Sequence, residues 1–333
     1  MKIAIITDTH FGARNDNQNF NDYFFKFYDD IFFPTLIERK ITTCIHMGDV
    51  MDRRKYVSYK TATDFRQRFI NRFIELDIDL HIIVGNHDTY YKNTSEVNSM
   101  EELVGQDRFK IYTFPDVVNF DDTPILFMPW INSANYDSSM QALSKSKADL
   151  LMGHLEINGF EMHKGQIAEG NYDRELFKRF DTVFSGHYHH KSDDGHIFYL
   201  GTPYEIMWND WDDPKGFHIF DTATRELERI VNPYKLFKKI FYDDTDADYT
   251  KHDVDQYKEC YVKLIVVNKK DLYGFDQFVD RLLKADAYEV KIIEDFSELD
   301  AENVSDDIVE NTEDTLTLLE KYIDELDVTL SKR

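Results

Sequence analysis

His81-Ile82-Ile83-Val84 running into Gly85-Asn86-His87-Asp88 is the stretch on which the reading of this chain turns. A short β-branched run that closes on glycine and then on three polar residues reads as a strand delivering side chains to its carboxyl end. Taken alone, Gly-Asn-His-Asp is equally a plain turn, since Gly, Asn and Asp are turn residues. The same layout appears four more times, however. Lys2-Ile3-Ala4-Ile5-Ile6 runs into Thr7-Asp8-Thr9-His10, and Thr43-Cys44-Ile45-His46-Met47 into Gly48-Asp49-Val50-Met51-Asp52. Asp149-Leu150-Leu151-Met152 runs into Gly153-His154, and Asp181-Thr182-Val183-Phe184-Ser185 into Gly186-His187-Tyr188-His189-His190. Open α/β sheets bind ligands beyond the carboxyl ends of their strands, so five such ends point at one spot.

The side chains on those ends are Asp8, His10, Asp49, Asn86, His154, His187 and His189. Mixed carboxylate and imidazole donors suit divalent Mn, Fe or Zn, and the absence of clustered thiolates disfavours a structural zinc site. This is too many donors for one ion with room for substrate. It suits two ions sharing a carboxylate, an arrangement that clamps a phosphate and activates water. His87 is left over as a candidate to steady the transition state or protonate a leaving alkoxide, with Asp52 as a candidate to orient it. Singly, each residue reads just as well as a satisfied polar group at a strand end; the set does not.

Length and composition bound the rest. The 333 residues suffice for one large and one smaller domain, and 42% hydrophobic and 15% aromatic residues support a packed core. No apolar run approaches the ~20 residues of a membrane span. Cys44 and Cys260 are far apart, and Cys44 falls in an expected buried strand, which reads as reduced thiols in a cytoplasmic protein. The net charge of -24, from 63 acidic and 39 basic residues, argues against a stand-alone high-affinity binder of polyanions. It is compatible with a metal site built from carboxylates.

Between the motifs, Phe20, Phe24, Phe27, Tyr28, Ile31 and Phe32 recur at helical spacing, with Pro34 as a bend or restart. Ser58 to Leu76 reads as a long helix with Phe65, Phe69, Ile70 and Phe73 on one side, a core face first and a homodimer face second. Helices are expected over 95–104, 134–147 and 175–179, and strands over 109–114 and 124–128. The stretch 159–170 reads as irregular, with His163 a loop histidine. Antiparallel strands are expected over 197–200, 217–221 and 227–231. From Tyr234 the pattern becomes strand, helix, strand over 261–267, 276–285 and 288–293. The acidic tail carries Leu316, Leu319, Ile323, Leu326 and Leu330 in steps of three and four, an apolar helical seam that reads as docking onto another protein's helix, or as packing on its own domain.

In this order, Asp-x-His, Gly-Asp-x-x-Asp, Gly-Asn-His-Asp, Gly-His and Gly-His-x-His resemble the calcineurin-like metallophosphoesterase superfamily over roughly Met1 to Asp221. Within it the chain resembles the SbcD-type recombination and repair nucleases. It begins directly on the first motif strand, carries Tyr199-Leu200-Gly201-Thr202-Pro203 and Lys215-Gly216-Phe217 after the last histidines, and ends in a small cap and tail. The resemblance implies a four-layer α/β sandwich of mixed sheets flanked by helices (1–233), a small α/β DNA-binding or capping domain (234–297), and an acidic linker with an ATPase-docking helix (298–333). It implies one metal on Asp8, His10, Asp49 and His189, a second on Asp49, Asn86, His154 and His187, and His87 as the catalytic histidine.

The resemblance further implies Mn2+-dependent cleavage of DNA as 3′-to-5′ exonuclease and endonuclease, in double-strand-break processing, recombination and recombination-dependent replication. A homodimer through the helices after the second and third motifs, and an SbcC-type coiled-coil ATPase partner, go with it. Arg53, Arg54 and Lys55 are then the nearest candidates for substrate phosphate, or an ordinary solvated charge run. The alternatives are a phosphatase or cyclic-nucleotide phosphodiesterase on the same site, and a non-catalytic scaffold with the same fold.

Overall fold

The computed structural model describes residues 1–104 and 109–294. The chain divides into two units, Met1–Ile206 with Asp212–Tyr234, and Met207–Trp211 with the chain from Lys235 onward.

The first unit is built on two six-stranded sheets. In the first, the strands run in the order Leu227–Val231, Gly216–Asp221, Lys2–Ile6, Thr43–His46, Asp79–Ile83, Lys110–Tyr112. The last four are parallel and the first two are antiparallel additions at one edge. The second sheet runs Ser192–Asp193, Ile197–Tyr199, Thr182–Gly186, Leu150–His154, Thr123–Met128, Asp116–Phe120, with the middle four parallel. Ile3, Ile5, Ile45 and Ile83 of one sheet share a core with Ile125, Phe127, Leu150, Met152 and Phe184 of the other. This is a sheet-on-sheet contact, and it explains the continuously apolar strands: parallel strands buried on both faces lose the polar alternation.

Each sheet is covered on its other face by helices, which makes four layers. Helix Tyr136–Lys145 packs through Leu143 against Leu126, Leu151, Val183 and Tyr199. On the first sheet, Asn17 caps helix Gln18–Phe27 by accepting from the Asn19 N–H (2.9 Å). The helix widens into a π turn over Tyr28–Phe32 and restarts at Phe33–Glu38, with Pro34 in the first turn, where a missing N–H costs nothing. Ser58 caps the second helical stretch, Tyr59 to Glu75, which also passes through a π turn at Phe65–Ile70.

Phe65, Phe69 and Phe73 are each fully buried. Phe69 meets Phe11, Tyr28, Phe33, Phe65 and Phe73 at ring-centroid distances of 5.0–6.2 Å. This is a core face, so these aromatics leave nothing for a second copy of the chain to cover, and a homodimer reading on them is withdrawn.

Four other expectations change. The segment 95–104 is split: Thr94–Asn98 pairs with Thr89–Tyr91 in a hairpin, and only Ser99–Val104 is helical. His163 lies in a strand, Glu161–His163, paired with Gln166–Ile167, and is buried with its ring 5.6 Å from that of His189. Ile197–Tyr199 runs parallel to Thr182–Gly186 and antiparallel only to the short Ser192–Asp193. Asp116–Phe120, an unexpected edge strand, pairs with Thr123–Met128.

The second unit has a parallel three-stranded sheet, Phe237–Asp243, Tyr261–Asn268 and Glu289–Ile293, in that order. Helix Leu272–Lys284 begins earlier than expected because Asp271 caps it through the Gly274 N–H (3.0 Å). Its Phe275, Phe278 and Leu282 join Tyr242, Val262 and Leu264 in a separate core. The first strand is hidden in the sequence because Lys238 and Lys239 interrupt its apolar pattern. Leu316, Leu319, Ile323, Leu326 and Leu330, and the expected 298–333 segment as a whole, lie outside the described residues.

Candidate metal centre

All five motifs leave the carboxyl ends of neighbouring parallel strands: Lys2–Ile6, Thr43–His46 and Asp79–Ile83 in one sheet, Leu150–His154 and Thr182–Gly186 in the other. The first two loops are zipped together by main-chain bonds from Asp8 N to Gly48 O (3.0 Å), His10 N to Asp49 O (3.1 Å) and Phe11 N to Val50 O (2.8 Å). Asp8, His10, Asp49 and His187 each take a positive φ, of 51°, 43°, 52° and 85°. Left-handed backbone at non-glycine residues costs roughly 1–3 kcal/mol each and collects at functional sites. Gly48 (φ 98°) is needed for a closer reason: a Cβ there would stand 2.5 Å from His154 Nδ1 and 2.9 Å from the Gly85 backbone.

The donors fall into two groups. Asp8, His10 and His189 bring ligand atoms within 4.8 Å of one another, and so do Asp49, His154 and His187. His10 Nε2 is 3.2 Å from His189 Nε2. In the second group Asn86 Oδ1 is 2.9 Å from both His154 Nε2 and His187 Nδ1, and Asp49 Oδ2 is 3.3 Å from His154 Nε2. The seven expected donors therefore converge, with Asn86 on the Asp49 side.

Asp8 and Asp49 are 0% and 2% exposed. Burial and the like charge of Asp49 push the Asp8 carboxyl up to about 7, against the pull of His154. Burial works the same way on Asp49, but the charges of His154, His87 and His10 outweigh it and hold that carboxyl well below its usual range. Burial opposes a charge on His154, yet Asp49 and Asp8 raise it to about 10. Burial and that charge bring His187 down to about 3. Two buried carboxylates with only imidazoles to balance them form a site matched to cations, since a divalent ion favours both ionised carboxylates and neutral imidazoles. The donor set fits a pair of divalent metals.

His87 sits beside the first group, its ring 5.0 Å from that of His10. Its N–H donates to Asp49 Oδ1 (2.8 Å), and its Nδ1 lies 2.6 Å from the main-chain oxygen of Asp52. Burial lowers its affinity for a proton, but the Asp49 charge and the Asp52 carbonyl outweigh burial, and the net shift is upward. Asp52, expected to orient His87, meets it through this main-chain oxygen, while its carboxylate faces His10 Nδ1 at 3.6 Å and Arg53 Nε at 3.9 Å. Arg53 is engaged with Asn15 and with the Tyr56 hydroxyl, while Arg54 lies over the Trp130 ring (5.0 Å) and donates to Thr89 Oγ1 (3.3 Å). Lys55 is exposed.

Several supporting residues had no role in the sequence reading. Asp88, fully buried, accepts from Val50 N (2.9 Å) and Met51 N (3.1 Å) on one oxygen and from Gly85 N (2.9 Å) on the other, so it ties the second motif loop to the third. The Thr7 hydroxyl donates to Asp8 (2.6 Å). His46 Nε2 meets the Thr9 hydroxyl (3.0 Å), and the Tyr204 hydroxyl donates to the Thr9 carbonyl (2.6 Å), which steadies the residue between Asp8 and His10. Buried Lys215 donates to the His189 carbonyl (2.9 Å) and to Asp213 (2.8 Å). Asp88, Thr7, Thr9, His46 and Lys215 stand in segments the sequence singles out, but nothing in the sequence assigns them these contacts; Tyr204 and Asp213 carry no local signal.

The fold and centre define a metal-dependent phosphoesterase: the chain belongs to the calcineurin-like phosphoesterase family, whose model matches residues 1–191. Among individual proteins, it is 32% identical over its whole length to exonuclease subunit 1 of Enterobacteria phage T4, covering 95% of that protein. It is 23% identical to the SbcD component of the SbcCD nuclease of Staphylococcus saprophyticus, over 50% of this chain and 52% of that one. Solved structures similar to it include an archaeal phosphodiesterase (17% identity, 70% of this chain and 100% of that one, TM-score 0.35). A dimetal phosphatase from Danio rerio is a further one (11% identity, 66% of this chain and 91% of that one, TM-score 0.35). Among the described residues no helix is long and apolar enough to cross a membrane.

Proposed function

We propose that this chain is the nuclease subunit of a DNA-processing complex and hydrolyses DNA phosphodiesters at the strand-end centre. The observation that carries the reading is the convergence of Asp8, His10 and His189 with Asp49, Asn86, His154 and His187, in a chain alike over its full length to a phage exonuclease subunit. Asp8, His10, Asp49 and His189 would hold one ion, and Asp49, Asn86, His154 and His187 the other. Two divalent ions supply charge to the phosphate oxygens and an activated water at neutral pH. The O/N donor set favours Mn2+ or Fe2+ over Mg2+, and Mn2+ is the ion we propose.

The chain's own groups do the rest. His87, its Nδ1 proton directed to the Asp52 carbonyl, keeps Nε2 for the substrate. With its proton affinity raised, it donates from Nε2 to the leaving 3′ or 5′ oxygen. The Asp52 carboxylate holds His10 in place. Arg54, stacked on Trp130, would meet a flanking phosphate.

The acidic balance of the chain fits a protein that borrows much of its grip on DNA, and an SbcC-type coiled-coil ATPase is the proposed partner. The docking role of the 316–330 seam, the DNA-binding role of 234–297 and a homodimer through the helices after the second and third motifs, by residues other than the buried Phe65–Phe73 face, belong to the same proposal. Nuclease and phosphatase readings separate on substrate. Plasmid DNA, a chromogenic phosphodiester and a chromogenic phosphomonoester are offered to one Mn2+-loaded preparation. The nuclease reading expects cleavage of the DNA and the diester; turnover of the monoester alone overturns it.

A further inference from the structure

The inward-facing imidazoles share a second feature, on the ring nitrogen that points away from the centre. His154 turns Nε2 inward, and its Nδ1 lies 2.9 Å from the Met47 carbonyl oxygen. His10 also turns Nε2 inward, and its Nδ1 faces the Asp52 carboxylate at 3.6 Å. His187 is reversed: Nδ1 is the inward atom, and Nε2 faces Glu156 Oε1 at 3.8 Å. Three of the four centre histidines thus have an oxygen on the outward nitrogen. Only the Met47 carbonyl is within hydrogen-bonding distance; the two carboxylates stand at ion-pair distance, where their charge favours the tautomer protonated on the outward nitrogen and leaves the inward nitrogen free to bind metal.

Glu156 is held for this. It follows the Leu150–His154 strand, and its main-chain oxygen accepts from Tyr172 N (3.0 Å). Its Oε1, the atom facing His187, accepts from Trp130 Nε1 (2.8 Å), and its Oε2 accepts from the Asn171 amide. A long acidic side chain near a surface ordinarily samples many rotamers; this one is fixed from both oxygens. The Trp130 ring that clamps it lies under the Arg54 guanidinium.

We infer that Glu156, clamped by Trp130, is the positioning residue for the second metal: its carboxylate, held 3.8 Å from Nε2 of His187, favours the ring orientation and tautomer that present Nδ1 to the cation. The inference rests on the two-metal reading of the same centre. Outer carboxylates of this kind are worth roughly 10–100-fold in metal affinity.

The test is Mn2+ titration of the metal-free full chain by calorimetry, with the paramagnetic spectrum of the bound Mn2+ recorded alongside. Wild type, Glu156→Gln and Trp130→Phe are compared, the last keeping the carboxylate and an aromatic ring but removing the clamp. The expected result is two ions on wild type, with one of them weakened about 10-fold or more in Glu156→Gln. The loss should be smaller in Trp130→Phe. At one equivalent of Mn2+ the Glu156→Gln protein should show an isolated-ion spectrum rather than a spin-coupled pair. Thermal midpoints of the metal-free proteins should match.

Two ions bound by both variants with wild-type affinity overturn the inference. So does equal weakening of both ions with a lowered metal-free midpoint, which marks Glu156 as merely structural. Fewer than two ions on wild type overturns the two-metal reading beneath it.

Discussion

Nδ1 of His87 lies 2.6 Å from the main-chain carbonyl of Asp52, while the carboxylate of that same residue faces His10. One residue thus sets two histidines by different atoms, and substitutions should separate them. His87→Ala should bind metal as wild type does and lose roughly 10²–10⁴-fold in cleavage rate. Asp52→Ala keeps the carbonyl, so it should spare the orientation of His87 while lowering its proton affinity, and weaken metal binding at the His10 group by about 10-fold or more. Metal analysis beside single-turnover rates checks the pair; a metal-free but folded His87→Ala protein would remove its catalytic assignment.

Asp49 stands between the groups, with one oxygen toward His154 and the other accepting from His87 N. As the proposed shared ligand, Asp49→Asn should lose both ions together. Two ions retained per chain, by atomic absorption after dialysis, would refute the bridging role.

Asp88 satisfies the N–H groups of Val50, Met51 and Gly85 in a fully buried setting. Orphaning a buried donor costs roughly 1–3 kcal/mol. Asp88→Ala should therefore be destabilised by at least about 3 kcal/mol in urea unfolding, with Asp88→Asn milder. A change under about 0.5 kcal/mol, the ordinary size for a surface substitution, would mean that the loops hold without it.

Phe69→Ala removes the centre of the helical aromatic core and should cost about 3–5 kcal/mol. Because that face is internal, the oligomeric state of the surviving folded protein should not change. Dissociation of a dimer with little loss of stability, by analytical ultracentrifugation, would return the face to an interface role.

His81 and His218 are buried in the first sheet, away from the centre. Burial and the charge of Lys110 bring His81 down to about 4; burial and Arg229 bring His218 down to about 3. In the unfolded chain both take up a proton near 6.5. The unfolded state therefore binds more protons below that value, and stability falls as pH drops from about 6.5 to about 4. His81→Phe should flatten the fall by up to about 1.4 kcal/mol per pH unit over that window. An unchanged pH slope would show that His81 titrates normally in the fold.

The sandwich and the meeting of the seven strand-end side chains were legible because the same signal, an apolar strand closing on Asp, Asn or His, recurs five times, and parallel strands send their ends one way. The support was less legible. Glu156 is an acidic residue in an irregular stretch, and Lys215, though in a singled-out segment, shows no partner in the sequence; their contacts exist only once Trp130 and His189 are brought beside them. Sequence spacing brought Asp52 to His87 but could not say that the main-chain carbonyl, and not the carboxylate, makes the contact. Thr94–Asn98 went astray through the hairpin at Thr89–Tyr91, a pairing that sequence pattern alone did not weigh.

The most direct test of the account is cleavage of linear duplex DNA by the purified chain, with Mn2+ or with chelator, alone and with the proposed coiled-coil ATPase partner. His87→Ala and Asp49→Asn serve as controls. The account predicts cleavage that requires Mn2+, disappears in both variants and responds to the partner. Two bound metal ions with no cleavage of DNA in any combination would contradict it.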